Sequence, residues 1–364
     1  MRRPDLPEVP GVLGADEVAA SAAYLVRAQQ ADGAIPWFTG GHIDPWDHVE
    51  CAMALSAAGE YVQARRAYEW LARTQRADGS WPMKTRGAVV EAPDGEANHA
   101  GYPAVGVWHH LLVTGDAEFA ARMWPTVRRG IGYVLSLQTV RGEVAWVRGA
   151  DGTAADEALL TACSSLHQAL RCGIALGEAV GDPQPDWELA ADRLGHLVYA
   201  HEDVFADRSR YSMDWYYPVL GGAVRDRTAH ERLDARWDDF VVPGLGARCV
   251  SDQPWVTGAE TCELALALHT VGRADEAREL LAAMQHLRDP DGSYWTGWQF
   301  GERVRWPVER STWTAAAVIL TADALSGATG GSGIFAAPVP LPATATPVDA
   351  EACGCARTPA RRLP

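Results

Sequence analysis

The chain has 364 residues, 48% of them hydrophobic and 22% charged, with a formal net charge of −15. This suits a soluble globular protein of one large domain or two ordinary ones, and the acidic balance argues against nucleic acid or an anionic membrane as a partner. No run approaches the roughly 20 apolar residues of a membrane span, and MRRPDLPEVPGVLG has no apolar stretch behind its arginines, so a cytoplasmic protein without a secretory signal is expected.

Residues 1–14 read as an N-terminal extension. From residue 15 two kinds of helix alternate, one apolar along a single stripe, the other rich in Ala, Leu, Cys and Gly on most sides. The striped kind is expected at about 15–30, followed by the all-apolar kind at about 45–58. Pairs continue at about 60–76 and 99–114, 117–138 and 156–179, and 184–205 and 214–223. They finish at about 228–241 and 257–271, then 273–287 and 311–326. Striped helices lie outside and all-apolar ones inside. Six outer and six inner helices in strict alternation therefore predict an all-α (α/α)6 toroid over 15–327. Beyond it, GATGGSGIFAAPVPLPATATP introduces a flexible Pro/Ala/Gly-rich tail over 328–364.

Joints from an inner to an outer helix are tight, as in SAAGEY, VTGDAEF and TVGRADEA. Joints from an outer to an inner helix are long, as in DGSWPMKTRGAVVEAPDGEANHAGY and DGSYWTGWQFGERVRWPVERST. Long loops on a rigid scaffold are where sites are built, so a site is expected over the N-termini of the inner helices.

The seven Cys show no disulfide framework. Cys51, Cys163, Cys172 and Cys262 fall in apolar helical patterns and read as small buried hydrophobes in a reducing compartment, while Cys353 and Cys355 form CGC in the tail without a His partner. There are 15 Trp against 6 Phe. Indole fills a core poorly because its N–H needs a partner, and its flat face suits sugar rings.

Four segments repeat: YLVRAQQADGAIPW (Tyr24 to Trp37), WLARTQRADGSWP (Trp70 to Pro82), YVLSLQTVRGEVAW (Tyr133 to Trp146) and LLAAMQHLRDPDGSYW (Leu280 to Trp295). Each ends a helix, places Gln in the last turn, turns on Asp-Gly or Arg-Gly and delivers a Trp. These repeats resemble the QW-type repeats of squalene–hopene cyclases and the prenyltransferase superfamily. The six-pair arrangement is equally similar to six-hairpin glycosidases of the glucoamylase-like and unsaturated-glucuronyl-hydrolase-like families. Both resemblances imply the toroid, and the site must choose between them. Cyclases of that family use Asp-x-Asp-Asp, which does not occur, and DPWD has the wrong spacing. Protein prenyltransferases hold zinc with Asp, Cys and His, and no such trio is evident. Asp238 and Asp239 of ARWDDF fall on an outer helix, as a solvated face would.

The long-loop end is rich in acids. The first inner helix brings His42, Asp44, Asp47, His48 and Glu50, and the second Glu96, Asn98, His99 and Tyr102. Asp214, Tyr216 and Tyr217 open the fourth. Arg248, Asp252, Trp255, Glu260 and Glu263 attend the fifth, and Trp298, Trp306, Glu309, Arg310 and Trp313 the sixth. Glycoside hydrolysis needs one acid to protonate the leaving oxygen, one base or nucleophile, and flat side chains to seat the rings. Some of these acids have structural explanations. Asp44 before Pro45 is a good N-cap, Thr257 with Glu260 spells a capping box, and Asp214 also suits a cap. Glu263 lies too deep to be one, so it is either buried with a partner or faces the cavity, and Glu50 is placed similarly.

The leading expectation is a glycoside hydrolase-like enzyme cutting an oligosaccharide or polysaccharide, with Asp47 and Glu260 as acid/base pair and Asp214 as substitute or third carboxylate. Trp37, Trp255, Trp298, Trp306, Tyr216 and Tyr217 would stack on sugars, and Arg248, Arg310, Asn98 and His99 would bond hydroxyls. His42, Asp44, Glu50, Tyr102, Asp252, Glu263, Glu309 and Trp313 complete the expected substrate-binding set. A terpenoid cyclase or prenyltransferase-like protein acting on an isoprenoid is the second reading, and a non-catalytic glycan-binding protein the third. No HExxH, GxSxG, GxGxxG or P-loop pattern occurs, so no metal or cofactor is expected.

Overall fold

The structure is a computed structural model describing residues 6–336. Its helices follow the expected alternation. Outer Ala15–Ala28 (α1) leads to inner Pro45–Ala57 (α2), and outer Tyr61–Thr74 (α3) to inner Ala97–Gly101 (α4) and Pro103–Thr114 (α5). Outer Ala117–Leu135 (α6) leads to inner Leu160–Val180 (α7), and outer Pro185–Ala200 (α8) to inner Ser212–Leu220 (α9). Outer Asp226–Ala235 (α10) and the short Trp237–Phe240 (α11) precede inner Gly258–Thr270 (α12). Outer Ala274–Ala283 (α13), extended by a 3₁₀ turn over Met284–Leu287, precedes inner Thr312–Ser326 (α14).

The inner helices touch in the order α2, α5, α7, α9, α12, α14 and back to α2, which closes the ring. Every residue of α2 is buried, as helices apolar on most sides require, whereas α3 buries only Ala64, Ala67, Tyr68, Trp70 and Leu71. The described residues thus form an (α/α)6 toroid. None of their helices is long and apolar enough to cross a membrane.

Among the described residues, strands occur only in the outer-to-inner joints. Lys84–Arg86 (β1), Val89–Ala92 (β2) and Gly95–Glu96 (β3) precede α4, and Val147–Arg148 (β4) precedes α7. Val241–Val242 (β5), Gly246–Arg248 (β6), Trp255–Thr257 (β7), Gly297–Gln299 (β8) and Val304–Arg305 (β9) form one antiparallel sheet in that order. All nine strands of the described residues therefore gather at the end where the inner helices begin.

The repeat has a mechanical explanation. Gln75 Nε2 donates to its own turn, at the Gly79 carbonyl (3.0 Å), and to the Thr126 carbonyl on the next outer helix (2.9 Å). Gln29 does the same to Gly33 and Gln63, and Gln138 to Gly142 and Ala190. One amide thus ties each turn to its neighbouring hairpin. Gln285 departs from the pattern, donating to Leu281 O and accepting from Tyr294. The glycine permits the approach. A Cβ on Gly79 would lie 2.1 Å from Arg129 O, and Gly79 also has φ +95°. Where α10 lacks the repeat, ion pairs substitute: Arg273 reaches Asp234, and Arg232 reaches Glu202.

The folded chain continues past 327, where a flexible tail was expected. Asp323 accepts from the Thr329 backbone (2.9 Å) and hydroxyl (2.7 Å), and Ile334 and Phe335 are buried. Gln168 and Arg225 bond the carbonyls of those two residues, so segment 329–335 packs against inner helix α7. The tail from 337 on, with Cys353 and Cys355, lies outside the described residues.

Gly79→Ala should lower the unfolding free energy by about 3 kcal/mol or more, combining left-handed backbone strain with a backbone collision. Gly115→Ala, at φ +67° with nothing within 4 Å of the added Cβ, should cost only about 1–2 kcal/mol. Equal costs in urea denaturation would show that the approach to α6 carries no weight.

Candidate active site

Helix α2 starts as its sequence suggests. Asp44 is the N-cap, Pro45 follows it, and Asp44 Oδ1 accepts from the Asp47 backbone N–H at 2.9 Å. Asp47 and Glu50 are one turn apart and share a face. Glu50 is the deeper of the two. Its Oε1 accepts from the Tyr102 hydroxyl (2.8 Å) and its Oε2 from the Trp313 indole (2.8 Å). Two places round the ring, Glu263 of α12 accepts from Tyr216 (2.5 Å) and Tyr217 (2.6 Å). Trp46 lies between the two clamps, stacked on Tyr102 at 3.8 Å between centroids and tilted against Tyr217 at 5.9 Å.

Every carboxylate oxygen of Glu50 and Glu263 thus has an aromatic-group donor, and the two residues are only 3% and 2% exposed. Asp47 and Glu260, nearer the helix N-termini, are 5% and 6% exposed. Their contacts are lighter. Asp47 hydrogen-bonds the Asp44 side chain, and Glu260 receives the Cys249 thiol. The expected Thr257–Glu260 capping box does not form. Thr257 Oγ1 has no partner, while Thr261 bonds the Ala247 N–H and the Thr257 carbonyl. Glu260 is therefore released from a capping role.

Proton affinity follows burial and neighbours. Burial, then the charges of Asp44, Glu50 and Glu263, push Asp47 well above the usual carboxylate range. Burial also opposes charge on Asp44, but its hydrogen bonds with Asp47 and the nearby His99 outweigh it and hold Asp44 low. Burial raises Glu50 to about 7 against the pull of Tyr102 and Trp313. Burial and Glu50 raise Glu263 well above its ordinary value.

Around these acids the structure brings together several expected residues. His42 Nε2 is 4.0 Å and His99 Nε2 3.9 Å from Asp44, and His42 stacks on Trp37 at 5.8 Å. Trp37 leans on Trp313 and donates to Glu309 at 2.7 Å. Asn98 Oδ1 and His99 Nδ1 are buried without a protein partner. His48 serves the scaffold instead, accepting from the Ile35 N–H and bonding the Ala67 carbonyl.

Other expected residues are engaged elsewhere. Asp214 does cap, but on the neighbouring inner helix. It accepts from the Thr161 N–H (3.2 Å) and hydroxyl (2.5 Å) at the start of α7, while Arg232 holds its carbonyl. Asp252 pairs with Arg210 on the surface, and Arg310 pairs with Asp289 while lying over Trp295. Arg248 donates to the Ser251 carbonyl, and strand pairing puts it with Trp298 on one face of the sheet, opposite Trp255. Trp255 donates to the Trp306 carbonyl at 2.9 Å. Tyr216 and Tyr217 act as clamps rather than exposed platforms. Many indoles are likewise structural stakes: Trp81, Trp124 and Trp215 donate to Leu71 O, Asp182 and Arg232 O.

Sequence reasoning missed Trp46, the Cys249 thiol and Asp289. Trp46 was within reach, since it stands between two acids in DPWD. Asp289, which holds Arg305, Arg310 and Trp295 together, left no local signal.

No protein-family profile matches the chain. Over 338 residues it is 54% identical to an MMP endo-(1,4)-3-O-methyl-alpha-D-mannosidase from Mycolicibacterium hassiacum, a match covering 92% of this chain and 94% of that one. A solved wild-type glycosidase superposes with a TM-score of 0.69 at 16% identity, covering 86% of this chain and 97% of the other. A bacterial glucoamylase in complex with acarbose gives 0.67 at 13%, over 88% of this chain and 57% of that one. A D-mannose isomerase gives 0.63 at 10%, over 84% and 96%. At such identities the solved structures speak to the fold alone.

Glu50 makes stability depend on pH. Its folded value of about 7 lies above the ordinary 4.5, so the folded state keeps a proton that the unfolded chain releases. The stabilisation is complete below about 4.5 and is lost as pH rises through about 7. Glu50→Gln can still accept from Trp313 and donate to Tyr102. It should therefore raise the melting temperature at pH 8, by roughly 3 kcal/mol of stability at most, and change it little at pH 4. Melting curves of both proteins across pH 4–8 check this, and parallel curves would contradict it.

Proposed function

The chain belongs to the glycoside hydrolase family of the MMP endo-(1,4)-3-O-methyl-α-D-mannosidase, and from that premise we propose that it cuts internal α-(1,4) bonds of a 3-O-methylmannose polysaccharide with Asp47 as general acid and Glu260 as general base. The near-full-length relative supports the substrate. One observation carries the residue assignment. Five acids sit at the head of α2 and α12; Asp44 caps its helix, and of the other four only Glu50 and Glu263 have every oxygen tied down by aromatic donors.

Asp47 holds its proton against Asp44, where burial and surrounding carboxylates favour the neutral form. In the reaction the C1–O bond breaks and its electron pair passes to the leaving oxygen, which takes that proton. A water adds to C1 and yields its own proton to Glu260. Asp44, low in proton affinity, then remains the charged neighbour that helps Asp47 regain a proton. Glu50 and Glu263 form the floor. Asn98 Oδ1 and His99 Nδ1, buried and unpartnered, are placed to meet sugar hydroxyls, since each needs a hydrogen-bond partner once water leaves. Trp37, stacked with His42, offers a flat wall to a pyranose ring or its methyl ether. The buried free thiols of Cys51, Cys163, Cys172 and Cys262 suit a reducing compartment, and we place the enzyme in the cytoplasm.

Asp47→Asn and Glu260→Gln should each lower kcat/KM on the methylmannose polysaccharide about a thousandfold or more, with melting temperatures close to that of the parent enzyme. Asp214→Asn should instead lower the melting temperature and keep kcat within a few-fold, because its carboxylate serves α7. Product sizes read by mass spectrometry distinguish internal from terminal cutting. Full turnover in both the Asp47 and Glu260 variants would sink the assignment.

A further inference from the structure

The five-stranded sheet carries a pocket away from the acid cluster. Strand pairing aligns Arg248, Val256, Trp298 and Arg305 on one face, and Trp255 with Gln299 on the other. On the first face lies a cavity of about 500 Å³ lined by Leu245, His286, Trp298, Phe300, Arg303 and Arg305. Its lining shares no residue with the acid cluster and contains no carboxylate, so it has the means to bind but not to hydrolyse.

The chemistry of the lining selects its ligand. His286 Nδ1 is 2.8 Å from the Ala283 carbonyl, which can only accept, so the ring proton resides on Nδ1. Burial holds the imidazole below its usual proton affinity, which leaves it neutral near pH 7. Its Nε2 is then a lone-pair acceptor, buried and without a partner. A ligand that reaches this nitrogen has to bring an O–H or N–H donor, which a bare oxyanion does not possess. Donors stand opposite. Arg303 is exposed, has no partner among the described residues, and is held at φ +59°, an unusual conformation for a side-chain-bearing residue. Arg305 is more committed, to Asp289 and the His286 carbonyl. Trp298 meets His286 edge-on at 5.9 Å, and Phe300 lies beneath the Arg248 guanidinium. One acceptor, guanidinium donors and flat rings together match a hydroxyl-bearing pyranose with an apolar face.

We propose that this cavity is a second glycan-binding site, which holds a sugar unit of the polysaccharide away from the carboxylates that cut it. The identity of the chain rests on the substrate reading above, but the neutral-sugar chemistry does not. In use, the site would anchor a long chain and so lower KM for polymers without touching the chemical step.

The test uses the full chain carrying Asp47→Asn, titrated with an α-(1,4)-linked 3-O-methylmannose oligosaccharide while the Trp298 indole N–H is followed by NMR. The signal is assigned by its loss in Trp298→Phe. A saturable shift that survives added sodium sulfate and disappears in Phe300→Ala/Arg303→Ala is expected. In the active enzyme, that double variant should raise KM for the polysaccharide about tenfold and leave kcat/KM for a tetrasaccharide unchanged. An unmoved Trp298 signal, a shift abolished by sulfate, or an unchanged polymer KM would each overturn the proposal. A Trp298 shift with the 3-O-methylmannose oligosaccharide, when the active enzyme leaves the methylmannose polysaccharide uncut, would overturn the substrate reading and leave the second site standing.

Discussion

A carboxyl group taken out of water costs several kcal/mol unless donors meet it, and three of those buried in the inner ring are met by donors from neighbouring inner helices. Glu50 of α2 is met by Tyr102 at the head of α5 and by Trp313 of α14. Glu263 of α12 is met by two tyrosines of α9, and Asp214 of α9 by the first turn of α7. These three acids together touch all six inner helices. Rotating or sliding one inner helix would strand a buried carboxyl or a buried donor, which costs more than the lost contact alone. The acids therefore set the register of the ring from within, as the Gln amides do on its outer side.

The same arrangement divides the acids by task. A carboxyl with donors on both oxygens is oriented but occupied. One that keeps an oxygen toward the cleft can move a proton. Glu50 and Glu263 are of the first kind, and Asp47 and Glu260 lie one turn nearer the opening. Immobilising the deeper pair fixes the helices that carry the outer pair, so the acid and base we propose sit on rigid elements rather than loops. The long joint before α2 brings Trp37 and His42 beside these acids, and α4 brings Asn98 and His99.

The helical alternation was legible because it is written in periodicity, and each expected helix lies within a few residues of its place. The Asp44 cap was legible too, since cap and first turn are adjacent in sequence. Asp214 was not. Local spacing suggested a cap for its own helix, but the carboxylate caps α7, fifty-three positions away. The Thr257–Glu260 pair also misled, because β7 runs straight into α12 and Thr261 satisfies the local groups instead. Trp showed the same limit. Its abundance suggested sugar platforms, yet whether an indole faces a ligand or stakes a carbonyl depends on what tertiary packing puts beside its N–H. The split of Trp255 and Trp298 onto opposite sheet faces required strand register, which the sequence pattern around them does not state.

Depth along a single helix explains how neighbouring acids acquire different proton affinities. Asp44, Asp47 and Glu50 stand at the cap, first turn and next turn of α2, and all three are buried. At the cap, hydrogen bonds and His99 stabilise charge, and the positive end of the helix dipole adds to them. That field fades within a turn, while desolvation does not. Asp47 is thus left with burial and three like-charged neighbours, and Glu50 with burial against two donors. One α-helix so carries an acid held low, an acid pushed well up and a deeper acid poised near neutrality. The general acid proposed above is the second of these, and its difference from Asp44 follows from position on the helix.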